Sequence, residues 1–174
     1  MDNINIEKIK AFKLPSYAEI PGVGLFLEQV SKYINECLSP LGIPDLTGSM
    51  ISNYVKKDII DNPVKKQYSR DQIVYLMFIA VAKSVLSLED ISLLMELQKQ
   101  ICSPEEAYNF FSDEFARILD SFFIEKSPII GSIDIKTVEK GDIYSVKNLC
   151  VSILMTVVFK IHLDMIFLEL KEEK

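Results

Sequence analysis

The sequence predicts a mainly α-helical fold, a helix-turn-helix carrying a short β wing and packed with a C-terminal α-helical bundle. Three observations carry this expectation. Serine-led helix starts recur at Ser69, Ser87 and Ser103, each ahead of apolar residues at helical spacing. Almost every other long segment has the same spacing. The exception is Ile59 to Tyr68, where Asp61-Asn62-Pro63 marks a turn between two short β-tolerant pieces.

A chain of 174 residues that is 49% hydrophobic can bury a real core as one domain, or as a small domain with an added bundle. Its net charge of -6 opposes a nucleic-acid partner at first sight. Three widely spaced cysteines, Cys37, Cys102 and Cys150, suit reduced thiols. Met1 to Lys10 holds no apolar run of signal-peptide length, so a cytoplasmic protein is expected. The apolar stretch Leu149 to Phe159 is interrupted by Lys160, His162 and Asp164. A spanning helix needs roughly 20 apolar residues, so the expectation is a buried or interface helix and no membrane. His162 is the sole histidine, and Gly22 and Gly24 lack the rest of a phosphate-binding fingerprint. No metal, no cofactor and no enzymatic activity are expected.

In chain order, residues 1–23 form an N-terminal lead-in, with Leu14 to Pro21 extended between prolines. Residues 24–100 form the winged helix-turn-helix domain. Its first helix runs from Gly24 to Cys37, and Pro40, Gly42 and Pro44 then break the chain. A second helix covers Ser49 to Lys57. Ile59-Ile60 and Lys66-Gln67-Tyr68 are expected to be the two strands of a tiny hairpin. Ser69 with Gln72 opens a helix to Ser84, and Ser87 with Asp90 opens another to Leu97. Residues 101–174 form the helical C-terminal region. Ser103, Pro104 and Glu106 start a helix to Phe123, a loop carries Pro128, Gly131 and Gly141, and a last helix runs from Asp142 to Lys171.

The Ser49–Lys57 helix has two faces. Met50, Ile51, Tyr54 and Val55 fall on one, and Ser49, Ser52, Asn53, Lys56 and Lys57 on the other. Small hydrogen-bonding side chains beside basic ones suit a major-groove helix, in which Ser and Asn meet base edges and Lys meets phosphate. The alternative is an ordinary solvated face. Lys65 and Lys66 on the hairpin would make it a basic wing, or merely a soluble sheet edge. Arg70 opposes the dipole of the helix it starts, a local cost that a phosphate would offset.

These residues resemble a known family. Ser49 to Pro63, then Lys66 to Ile73, then Leu86 to Leu94 look like the N-terminal domain of MerR-type regulators. The resemblance makes Tyr54 the second residue of an aromatic pair, Ile59-Ile60 the apolar pair before a proline, and Lys66, Tyr68 and Ser69 the wing exit. Ser52 stands where the family has an arginine, Asn53 where it has the first aromatic, and Asp58 where it has a glycine, so Asp58 must adopt a turn conformation. A narrower resemblance, through LPSYAEIP, SMISNYVK and PVKKQYSRDQI, is to the bacterial domain-of-unknown-function family 1836, over nearly the full length.

The charge objection is local. Between Ser49 and Lys83 stand six basic residues (Lys56, Lys57, Lys65, Lys66, Arg70, Lys83) and three acidic ones (Asp58, Asp61, Asp71). The remaining 13 basic and 22 acidic residues carry all of the negative excess. The expected function is therefore a DNA-binding transcription regulator. Ser49, Ser52 and Asn53 would approach bases, and Lys56, Lys57, Lys65, Lys66 and Arg70 would hold phosphates, with Tyr68 packing the wing or touching the DNA backbone. A protein–protein adaptor using the winged helix as a docking surface is the alternative. In the C-terminal region, Tyr108, Phe111, Phe115, Ile118, Leu119 and Phe122 recur at helical spacing, and the last helix is apolar on more than one face. A helical core and a homodimer through these helices are both open, and a dimer would set two recognition helices at a fixed separation.

Overall fold

A computed structural model describes residues 6–126 and 142–172. In chain order it contains helix α1 (Ile6–Lys10), strand β1 (Leu25–Phe26), helices α2 (Leu27–Leu38) and α3 (Gly48–Lys56), strand β2 (Gln67–Tyr68), and helices α4 (Arg70–Ala82), α5 (Leu88–Lys99), α6 (Pro104–Asp120) and α7 (Ile143–Glu172). The described residues are thus mainly helical with one small two-stranded sheet. The loop with Pro128, Gly131 and Gly141 lies outside the described residues.

The serine starts act as helix caps. Ser69 Oγ accepts the Gln72 N–H while Gln72 Oε1 accepts the Ser69 N–H, at 3.3 and 2.8 Å. Ser103 and Glu106 make the same reciprocal pair, and Ser87 accepts from the Asp90 N–H. Each satisfies amide donors that the first helical turn leaves open. α4 is the central helix, with nine of its thirteen residues buried around its circumference, as a helix surrounded by others must be. It packs on α2, α6 and α7. α6 and α7 run parallel: Lys147 sits over the Phe110 ring and Phe122 packs edge-on against Phe159, so contacts advance together along both helices. A single cluster of buried apolar side chains runs from Ile9 to Met165.

Three sequence expectations change. Leu14 to Pro21 is not extended throughout. Glu19 accepts both the Ser16 amide and its hydroxyl at 2.7 Å and folds Tyr17–Glu19 into a 3-10 turn. The first helix starts at Leu27 rather than Gly24, because Leu25 and Phe26 form β1, opposite Tyr68 and Gln67 in antiparallel register. Ile59-Ile60 is not a strand. The chain leaves α3 through Asp58 in the left-handed region, at φ 56°. The Asp58 N–H bonds the Val55 carbonyl, and the Ile59 and Ile60 N–H groups both bond that of Tyr54. This is the Schellman closure of a helix, usually made by glycine. It commits the amides a ladder would need, and it buries both isoleucines, at 5% and 2% exposure, where a strand would alternate them.

Candidate nucleic-acid interface

α3 is short and is held from outside. The Asn35 side chain on α2 accepts the Leu46 N–H at 2.8 Å and donates to the Leu46 carbonyl at 3.2 Å, and Ser31 Oγ donates to the same carbonyl at 2.5 Å. Lys83 Nζ donates to the Asp45 carbonyl at 2.8 Å. Thr47 Oγ1 then caps α3 by accepting the Met50 N–H. Ile51 and Tyr54 are buried beneath the helix, Val55 is partly buried, and Met50 is 37% exposed.

Ser49, Ser52, Asn53 and Lys56 therefore form an exposed stripe, with Lys57 at its end. The two serines are engaged locally: Ser52 Oγ donates to the Gly48 carbonyl and Ser49 Oγ lies 2.9 Å from Thr47 Oγ1. Asn53, Lys56 and Lys57 have no side-chain hydrogen bond or ion pair among the described residues.

The basic turn is tighter than a wing with two strands of its own. Val64 bridges Gln67 across Lys65-Lys66, with the Gln67 N–H on the Val64 carbonyl at 2.9 Å. Lys65 and Lys66 have φ of 50° and 65°. Two successive positive values make this a type I′ turn, which Asn-Gly normally supplies. Each non-glycine residue there costs roughly 1–2 kcal/mol. Both lysine side chains are exposed, with no partner among the described residues. The turn is held from two sides. A Cβ on Gly24 would lie 2.7 Å from Gln67 Cβ, so a glycine lets β1 approach. Gln72, while capping α4, also donates through Nε2 to the Asp61 carbonyl at 2.7 Å.

The remaining two expected contacts are taken up within the chain. Tyr68 is 4% exposed and packs in the core, and burial raises the pKa of its hydroxyl. Arg70 Nε donates to the Ile20 carbonyl at 2.9 Å, Nη2 reaches the Ala18 carbonyl at 3.4 Å, and the guanidinium lies 5.1 Å from the Tyr17 ring centroid. The Tyr17 hydroxyl donates to Asp71 at 2.5 Å, and that bond to the carboxylate pushes its pKa up to about 12. Arg70, Tyr17 and Asp71 thus fasten the lead-in to α4. Asp61 pairs with Lys99 at 3.7 Å. Arg70, Lys83, Asp61 and Asp71 keep their charges but are tied to intramolecular partners, so between Ser49 and Lys83 the charged side chains without a partner among the described residues are Lys56, Lys57, Asp58, Lys65 and Lys66. The sequence did not single out Asn35 or Ser31. Asn and Ser inside a helix carry no warning of a clamp on a residue 11 or 15 positions away.

Among the described residues no group of His, Cys, Asp and Glu could hold a metal ion. Ser145–Lys171 within α7 is long and apolar enough to cross a membrane by length and composition, but 44% of its most apolar window is buried inside the protein, and Lys160 and Asp164 form an ion pair on it.

Residues 15–111, more than half of the chain, match the family described as a domain of unknown function, DUF1836. The match begins in the lead-in and ends inside α6. No curated protein and no solved structure matches the chain.

Proposed function

The chain belongs to the DUF1836 family, and on that premise we propose that it is a DNA-binding transcription regulator acting as a homodimer, with α2 and α3 as a MerR-like helix-turn-helix and the Val64–Gln67 turn as a reduced wing. The observation that carries this reading is the set of four exposed lysines without partners among the described residues, two ending α3 and two at the tip of the turn, in a chain that is acidic elsewhere. Lysines at the end of an exposed polar helix face and at the tip of a tight turn suit phosphates, and Asn53 lies on that helix face with no side-chain partner among the described residues. An Asn carboxamide can bind adenine through two hydrogen bonds. β1 before α2 and β2 after α3 pair in a sheet that ties down the return arm of the turn, which favours a wing over an unattached loop.

The test is fluorescence anisotropy of a labelled duplex against salt concentration. Each lysine–phosphate contact contributes about -0.9 to the slope of log K against log salt. Four contacts per copy give a slope near -3.6, and two copies about twice that. Lys65→Glu with Lys66→Glu should remove about half of the slope and most of the affinity. Absence of binding at low salt, or binding indifferent to this pair, overturns the proposal and leaves α3 as a docking surface for protein.

The dimer has its own support on α7. Phe159, Leu163, Ile166, Phe167 and Leu170 are 44%, 49%, 38%, 56% and 51% exposed. Steps of four, three and four residues from Phe159 to Leu170 keep them on one side of the helix, as in a coiled-coil seam. The face opposite holds Ile161 and Met165 in the core. Together the five leave on the order of 500 Å² of apolar surface in water, near the upper end for a monomer. Two copies reach about 1,000 Å², the lower bound of a specific interface. The spacing is palindromic, so in an antiparallel pair Phe159 meets Leu170 of the second copy and Leu163 meets Ile166. That register also sets Glu169 beside His162 of the second copy.

A further inference from the structure

We propose that the cavity between α4, α5, α6 and the first turns of α7 binds a small, neutral, largely apolar molecule of aromatic size that carries one hydrogen-bond donor. The cavity holds ≈ 290 Å³, just under the roughly 300–1,000 Å³ typical of small-molecule sites. Phe78, Leu94, Met95, Phe111 and Val146 form its apolar wall, and Gln98 is its buried polar group, at 8% exposure.

Gln98 is satisfied on one side only. Its Nε2 donates to the Cys102 carbonyl at 2.8 Å. Its Oε1 is buried and has no hydrogen-bond partner among the described residues. A buried amide oxygen without a donor is disfavoured and rare in folded proteins. Gln98 lines the cavity but its Oε1 is closed to solvent as it stands, so a ligand hydroxyl or N–H supplies the missing donor when the carboxamide turns toward the cavity, while its apolar body fills the space. Two further features select a neutral ligand. Lys147 and Glu106, of opposite sign, both line the site. The Cys150 thiol, raised by burial to about 12, stays uncharged at neutral pH. The site joins α4 and α5, which follow the basic turn, to α6 and α7. An occupant would stabilise that packing by mass action. The inference does not rest on the DNA-binding reading.

The experiment uses the full chain with two probes, indole and 1-methylindole, which share a ring system but differ in the N–H donor. Ligand-observed saturation-transfer NMR and thermal unfolding report binding. Indole is expected to bind and raise Tm, and 1-methylindole to bind about tenfold more weakly, the worth of one buried hydrogen bond. Gln98→Met should abolish the difference between the probes, and Ala107→Phe, at the cavity wall, should exclude both. If either variant fails to fold, the comparison of the two probes on the unaltered chain decides. Failure of both probes to bind at millimolar concentration, equal binding of the two, or binding that survives Ala107→Phe overturns the proposal.

Discussion

Lys65 and Lys66 are the residues at which local conformation and the proposed function pull apart. A type I′ turn favours Asn-Gly, and lysine in the left-handed region is strained. Stability alone would not place two lysines there, whereas phosphate contacts would. Lys65→Asn with Lys66→Gly should therefore raise stability by about 1–2 kcal/mol, read as a higher urea midpoint with unchanged slope, while weakening DNA binding. A pair that destabilises the chain would show that the lysines are not strained, and one that leaves DNA binding intact would detach the turn from that role. Asp58 is a parallel case with a different legibility. Its position after α3, where the resembled family has glycine, announced a turn conformation, and its φ of 56° agrees. Nothing in Lys-Lys announces the same for the basic turn, because the propensity of lysine does not favour it and Asp61-Asn62-Pro63 was the stronger turn signal nearby.

At the scale of elements, the helices were legible because their starts are chemical. A serine followed three residues later by an acid or amide encodes a reciprocal pair of hydrogen bonds within one turn. The sheet was not legible for the opposite reason. β1 and β2 have two residues each, too few to show a period of two, and their pairing joins residues more than forty positions apart. Leu25 and Phe26 also fit the helical spacing of the segment that follows them. The same distance effect hid the clamp that aims α3. Asn35 satisfies both backbone groups of Leu46, just before the Thr47 cap. Asn35→Ala should leave the part-buried Leu46 amide without a partner, with Ser31 still on the carbonyl, and cost about 1–3 kcal/mol. It should also lower DNA affinity with little change in salt slope, since it moves α3 without removing a lysine. A loss confined to stability would mean that the capping of Thr47 alone is enough to aim the helix.

For the whole molecule, α4 carries the connection between the two functions proposed for its surroundings. Its first turn anchors the basic turn through Gln72 and the lead-in through Arg70, and its later turns pack on α6 and α7. The family match stops inside α6, so the apolar stripe on α7 lies outside the matched segment. If the stripe pairs two copies antiparallel, a twofold axis crosses α7 between Leu163 and Ile166, and the two α3 helices are fixed relative to each other. Successive major-groove faces of DNA repeat at about 34 Å, so a regulator that reads two half-sites needs such a fixed separation. Sedimentation equilibrium should show a dimer, and Leu163→Glu with Phe167→Glu should yield a folded monomer whose salt slope on DNA falls by about half. The sense of the pair is read by mixing Leu163→Cys and Ile166→Cys chains in a background with Cys37, Cys102 and Cys150 replaced by serine or alanine. Antiparallel packing favours a disulfide between the two different variants, whereas parallel packing favours each variant with itself. A native chain that sediments as a monomer well above micromolar concentration, or one that partitions onto neutral lipid vesicles in proportion to the exposure of this stripe, would assign the face to something other than a second copy.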